Sequence, residues 1–220
     1  MRPQTVSIVK AVLLTVLLLP LLQLAWQVFQ TVQGSGDGLG ANPIERLTHR
    51  TGELALYCLL LSLAATPLRI LTGRAVVMRF RRMVGLVSFS YAVLHFGIYL
   101  LDRSLTEEGF TLREVGKDIA KRPYITIGTL AFVMLLLLAV TSTNGMIRRL
   151  GRSWQTLHRL VYPAALLAVI HFAWLVKAGL VKPLSLGVVL LVLLAIRVPS
   201  WLRSAPKKGK AAVAKSPAPE

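Results

Sequence analysis

The strongest constraint on this chain is its long stretches of hydrocarbon. Runs such as Ala11–Phe29 and Tyr124–Thr143 carry no charge after their first residues and extend for about a bilayer's width. A helix of roughly 20 apolar residues crosses the hydrocarbon core, and only a structure that satisfies its own backbone hydrogen bonds survives there. Six such runs are present, at Ala11–Phe29, Leu54–Leu71, Met83–Leu101, Tyr124–Thr143, Leu160–Val176 and Leu184–Trp201. They predict an all-α integral membrane protein, a six-transmembrane-helix bundle over residues 1–203. The remaining segment, 204–220, is rich in Ala, Pro and Lys and is expected to be a disordered basic tail. The first run is longer than a signal-peptide core and no A-x-A cleavage site follows it, so it reads as a retained helix.

Charge sets the orientation. The chain has 26 Lys and Arg against 9 Asp and Glu, a formal net charge of +17. In a soluble protein that excess points to nucleic acid, but no base-reading motif is present. In a membrane protein it marks cytoplasmic segments. Arg2 and Lys10 precede the first run, and Arg69, Arg74, Arg79, Arg81 and Arg82 surround the connection after the second. Arg148, Arg149 and Arg152 follow the fourth run, and Arg203, Lys207, Lys208, Lys210 and Lys215 follow the sixth. These segments alternate with the others, which places both termini in the cytoplasm. The opposite connections are long and mixed in charge, and the one from Asp102 to Pro123 predicts a short surface helix near Thr111–Ala120. By position, that connection and Thr31–Arg50 are the natural docking candidates for an outer partner.

Two decoys fall away. GSGDGLG, Gly34–Gly40, resembles a dinucleotide-binding glycine pattern but lacks the flanking strand and helix that pattern needs. The single cysteine, Cys58, excludes an internal disulfide, a C-x-x-C zinc or redox site and covalent haem attachment.

The chemistry lies in the histidines. His49 sits at the mouth of the second run, whereas His95, His158 and His171 lie in or at the edges of later runs. An ionisable side chain inside a bilayer is costly and therefore a functional candidate. His95 precedes Asp102 by seven residues and His171 precedes Lys177 by six, on two runs that point the same way. Both imidazoles thus reach the same depth near the outer face, as the two axial ligands of one haem iron must. His158 lies 13 residues before His171, about 20 Å along a helix axis and roughly 140° around it. It is a candidate ligand for a second haem or another cofactor near the cytoplasmic face; the two sites then sit on different flanks of one helix, or the helix is distorted at Pro163. No inner histidine faces it from the third run, where Arg81 and Arg82 stand instead. All nine acids lie in connections, at run ends or at the C-terminus. An interior with histidine and no carboxylate favours metal ligation over a proton relay. The alternative is a small transporter or channel that uses intramembrane histidines.

Five blocks carry a resemblance: ANPIERLTHRTG, KRPYITIG, TSTNGMIRRLG, WQTLHRLVY and HFAWLVKAG, spanning about Ala41 to Gly179. They are similar to the MsrQ (YedZ) family, within the ferric-reductase-like transmembrane domains. The resemblance implies a multi-pass b-type cytochrome of the bacterial inner membrane, with haem b and FMN as cofactors. It implies electrons taken from the quinol pool, or from a cytosolic flavin reductase, and passed to MsrP, a periplasmic molybdopterin enzyme that reduces methionine sulfoxide for repair of oxidised proteins. The chain itself is then an electron-transfer subunit without a methionine sulfoxide site. The family's histidines fall on His95, His158 and His171. A ferric reductase or superoxide-forming oxidase is the nearest rival, but it would carry a fused FAD/NAD(P)H domain, for which this chain has no room. Arg148, Arg149, Arg152 and Trp154, in the fourth connection, are candidates to contact a flavin phosphate or a haem propionate. Asn144-Gly145 is expected to form a turn.

Overall fold

The computed structural model describes residues 3–35, 38–106, 111–175 and 179–197. The tail at 204–220 lies outside the described residues. Helix α1 (Pro3–Val32) is followed by α2 (Pro43–Thr72) and α3 (Met78–Thr106), with a short 3-10 turn, Ala75–Val77, before α3. Next come α4 (Leu112–Lys121), α5 (Pro123–Val140), α6 (Asn144–Leu150) and α7 (Arg152–Leu157). A second 3-10 turn, His158–Leu160, leads into α8 (Val161–Leu175), and α9 (Val181–Ala195) ends the described chain. Among the described residues the secondary structure is all helical. Five helical segments are long and apolar enough to cross a membrane. The sixth predicted span is represented by α9, whose 15 residues reach only about 22 Å. The rest of that span, beyond residue 197, lies outside the described residues.

Local sequence explains the ends. Asn42 caps α2 by accepting from the Glu45 amide, its own amide nitrogen donates to the Glu45 carboxylate at 2.8 Å, and Pro43 occupies the first turn. Gly73, at φ 67°, closes α2 in the left-handed conformation that glycine adopts without strain. Thr111 caps α4 by accepting from the Glu114 amide, so the predicted surface helix forms, shifted by one residue. The expected turn at Asn144-Gly145 does not form. Thr143 caps a helix there instead, and NGMIRRLGRSW folds as α6 and α7, broken at Gly151 with φ 51°. Of the two alternatives for His158 and His171, the helix is distorted, one turn upstream of Pro163, as the 3-10 turn at His158–Leu160. Proline lacks an N–H, so the carbonyl four residues before it cannot be paired within an α-helix.

Two antiparallel pairs, α2 with α3 and α5 with α8, form the body. Small residues let α2 and α3 approach closely, as lipid-embedded helices require. Ser88 donates to the Ala55 carbonyl at 2.7 Å, and Ser62 donates to the Arg81 carbonyl at 3.0 Å beside Gly85. Tyr91 reaches the Leu17 carbonyl and ties α1 to α3. Leu56, Leu59, Leu63, Val84, Ala164, Ala165 and Leu190 fill the centre. Pro67 leaves the Leu63 carbonyl without its helical partner, and the buried Arg197 donates to that carbonyl and to the Tyr162 hydroxyl. Large apolar side chains on the outer faces of α1, α5 and α9, such as Ile8, Val133 and Leu191, remain exposed, as suits a lipid solvent.

Candidate functional site: a two-histidine cavity

The helix pairs enclose a cavity of about 450 Å³ at the end of the bundle that carries α4. His95 on α3 and His171 on α8 line it, together with Thr48, His49 and Gly52 on α2, Tyr124 and Gly128 on α5, and Arg122 between α4 and α5. The two imidazole rings lie edge to face, with centroids 6.1 Å apart and planes at 78°. The sequence placed these residues at one depth, and the fold brings the rings into register across the space between the helix pairs.

Each ring is held in the same way. His95 Nδ1 lies 2.8 Å from the Thr48 carbonyl, and His171 Nδ1 lies 2.7 Å from the Tyr124 carbonyl. A carbonyl only accepts, so Nδ1 carries the proton in both rings and Nε2 keeps its lone pair. Each carbonyl is four residues before a glycine that the ring packs against. A Cβ on Gly52 would lie 2.9 Å from His95 Nδ1, and one on Gly128 would lie 2.8 Å from His171 Nδ1 and Cε1. The glycines therefore open the notches in which the imidazoles sit. Sequence reasoning found the histidines and missed the notches. The signal was present as two blocks with a glycine four residues after a polar residue, THRTG and YITIG, but only the fold shows what faces them.

The donor set restricts what can bind. Among the described residues, no cluster of three or more His, Cys, Asp or Glu side chains could hold a bare metal ion. Two imidazoles facing across a cavity suit an iron whose other four positions are supplied by a porphyrin. Two imidazole–metal bonds of about 2.0–2.1 Å in line, with each ring centre about 1.1 Å beyond its nitrogen, put the centroids roughly 6.3 Å apart. The 6.1 Å found here fits that arrangement. The walls are apolar, with Leu56, Phe96, Phe132 and Phe172 among them. The volume lies within the roughly 300–1,000 Å³ of cofactor-sized sites.

At the mouth, Asp118 on α4 is only 8% exposed and joins three elements. It accepts from the Tyr99 hydroxyl at 2.7 Å, pairs with Arg122 Nε at 2.8 Å and lies 3.6 Å from Arg103 Nε. The Tyr124 hydroxyl and the Asp118 charge push the pKa of Arg122 further above its ordinary value, against the effect of partial burial. His49 stands at the rim with Nε2 3.8 Å from Glu45.

A second cavity of about 470 Å³ lies toward the α6 end. His158 lines it, opposite Arg81, with Arg82, Trp154, Arg159 and Tyr162. Trp154 stacks on His158 at 3.9 Å and donates to the Thr141 carbonyl. His158 Nδ1 lies 3.1 Å from the Trp154 carbonyl, and its Nε2 lies 3.3 Å from the Ser142 hydroxyl. Of the expected cofactor contacts in this region, Trp154 lines the cavity. Arg148, Arg149 and Arg152 are exposed on α6 and α7 and are not among the lining residues; the cations there are Arg81, Arg82 and Arg159. Leu59 and Leu135 line both cavities. Phe89, from the lower lining, stacks on Phe132 of the upper, which stacks on Phe96.

Fold and site together define a multi-pass helical membrane protein with a two-histidine centre between antiparallel helix pairs. The model of the ferric reductase like transmembrane component matches residues 51–169, which include His95 and His158 and stop just short of His171. The chain is 51% identical to a protein of Xanthomonas euvesicatoria pv. vesicatoria named "Protein-methionine-sulfoxide reductase heme-binding subunit MsrQ", over 82% of this chain and 81% of that one. Proteins of the same name from Xanthomonas oryzae pv. oryzae and Herminiimonas arsenicoxydans are each 45% identical, over 94% and 89% of this chain and 92% and 87% of theirs. The chain belongs to the MsrQ family of ferric-reductase-like transmembrane proteins.

Proposed function

We propose that this protein is a b-type cytochrome of the bacterial inner membrane. It takes electrons from the quinol pool, or from a cytosolic flavin reductase, and delivers them to a periplasmic molybdopterin enzyme of the MsrP type that reduces methionine sulfoxide. His95 and His171 would hold a haem b in the upper cavity through their Nε2 atoms. The observation that carries this reading is the 6.1 Å separation of two imidazoles, each with Nδ1 on a backbone carbonyl and Nε2 left for iron. The relatives' name, a heme-binding subunit of a methionine sulfoxide reductase, supports it.

Bound there, haem supplies one-electron transfer. The chain supplies the rest. The Thr48 and Tyr124 carbonyls fix the tautomer and orientation of the ligands, as outer-shell partners do at metal sites. Apolar walls keep water from the iron. In this reading the α4 end faces the periplasm and both termini face the cytoplasm, an orientation that the distribution of Lys and Arg supports. The lower cavity holds a second cofactor, a haem with His158 as ligand or FMN. Arg81, Arg82 and Arg159 there are suited to a propionate or phosphate. The chain carries no methionine sulfoxide site and acts through its partner.

Purified protein tests this directly. A reduced-minus-oxidised spectrum and a pyridine haemochrome count should give b-type haem. His95→Ala and His171→Ala should each lose one low-spin haem signal. An unchanged spectrum and haem content in either variant would refute the ligand assignment.

A further inference from the structure

The surface of α4 presents an ordered row of cations. Arg113, Lys117 and Lys121 are exposed and spaced four residues apart. At about 100° per residue they occupy one sector of the helix, together with exposed Gly116 and Ala120. The buried residues Val115 and Asp118 and the half-buried Ile119 occupy the opposite sector, roughly 180° away. The row therefore points away from the body of the protein. Among the residues whose side chains are described, this face carries none of the large apolar groups expected of a helix lying on lipid. A Cβ at Gly116 would meet nothing within 4 Å, so the ground between the cations is open to close approach.

Two further features bear on this row. Lys and Arg are normally concentrated on the cytoplasmic side, and here a basic face stands at the opposite end. It is also rigidly placed beside the upper cavity. Asp118 binds Tyr99 and Arg122, both of which line that cavity, and the Thr126 hydroxyl of α5 donates to the Ile119 carbonyl at 2.5 Å. Lys117 pairs with Glu114 at 2.8 Å. An exposed helical pair of this kind is weak and exchanges readily for a better partner.

We propose that Arg113, Lys117 and Lys121 form the docking surface for an acidic patch on the soluble protein that receives electrons from the upper site. This rests on the function proposed above. The row steers the acceptor to the cavity mouth, and the small residues between the cations let it come within electron-transfer distance. Opposite charges on two protein surfaces raise the association rate by roughly 10- to 1,000-fold, an effect that salt removes.

The test uses the full-length protein in phosphatidylcholine nanodiscs, reduced with dithionite. Haem reoxidation is followed by stopped flow after mixing with the purified periplasmic molybdopterin reductase. The wild-type rate should fall steeply with ionic strength. The triple variant Arg113→Glu, Lys117→Glu, Lys121→Glu should react at least tenfold more slowly at low salt, with an unchanged spectrum and little salt dependence. Equal rates and equal salt dependence would overturn the proposal. So would a charge-reversal effect confined to nanodiscs containing phosphatidylglycerol, which would assign the row to lipid headgroups. Ferricyanide, a small anionic oxidant, provides an arm independent of the partner. It too should oxidise the variant more slowly, and an unchanged ferricyanide rate overturns the docking surface. Failure of the reductase to oxidise the wild type, with ferricyanide still discriminating between the variants, would instead sink the acceptor named above.

Discussion

Replacing Gly128 or Gly52 with alanine should damage the upper site more than its size suggests. The new Cβ of Gly128→Ala would stand 2.8 Å from two ring atoms of His171, and that of Gly52→Ala 2.9 Å from His95 Nδ1. Ordinary contact begins near 3.4 Å, so the rings must retreat by about 0.5–0.6 Å. Such a shift takes the 2.7 Å bond from His171 Nδ1 to the Tyr124 carbonyl to about 3.3 Å, past the usual hydrogen-bond limit. Overpacking of this kind costs about 1–3 kcal/mol. Expressed wholly in cofactor affinity, that is roughly a 5- to 140-fold loss, at about 1.4 kcal/mol per factor of ten. Haem titration of apoprotein, with the low-spin spectrum as a second readout, measures the effect. Gly97→Ala is the control, because a Cβ there meets nothing within 4 Å on the same helix as His95. Full haem affinity and an unaltered spectrum in both notch variants would refute the account of how the histidines are held.

Other outcomes follow from the same geometry. His158→Ala should remove the cofactor of the lower cavity and leave the low-spin signal of the upper one, and spectra of the purified variant decide it. Asp118→Asn removes the carboxylate charge shared by Arg122 and Arg103, so amide hydrogen exchange across Leu112–Lys121 should accelerate while haem content is retained; unchanged protection would show that α4 is held by other contacts. Arg197→Met should destabilise the bundle by about 1–3 kcal/mol, because it strips the donor from the Leu63 carbonyl. In a Pro67→Ala background, which restores a helical N–H to that carbonyl, the loss should be smaller. Thermal unfolding in detergent that gave strictly additive effects would rule this coupling out.

Much of the fold was legible because lipid imposes a coarse rule: a spanning helix must be apolar for about 20 residues, wherever its neighbours lie. The helices α1, α2, α3, α5 and α8 follow from that rule. So does the common depth of His95 and His171, which is a matter of counting along two rods. The surface helix α4 lies within one residue of the segment predicted for it, and Thr111 caps it by accepting from the Glu114 amide. Near the fourth connection the same reading went astray. Asn144-Gly145 suggests a turn by composition, but Thr143 offers a helix cap and Arg82 donates to the Asn144 side chain at 2.6 Å, a contact no local pattern contains. Arg148, Arg149 and Arg152 are candidates as the basic cluster of that connection, and they lie outside the cavity that His158 lines, whereas Arg81, 77 residues before His158, lines it. What the sequence determined by itself was which segments are long and apolar enough to cross a membrane, five of them found as such helices among the described residues, and where along them each residue type lies. The tertiary structure alone decided which faces meet. Gly52 opposite His95 and Gly128 opposite His171 depend on the rotation and register of one helix against another, and those are set by many small contacts between residues far apart in the chain.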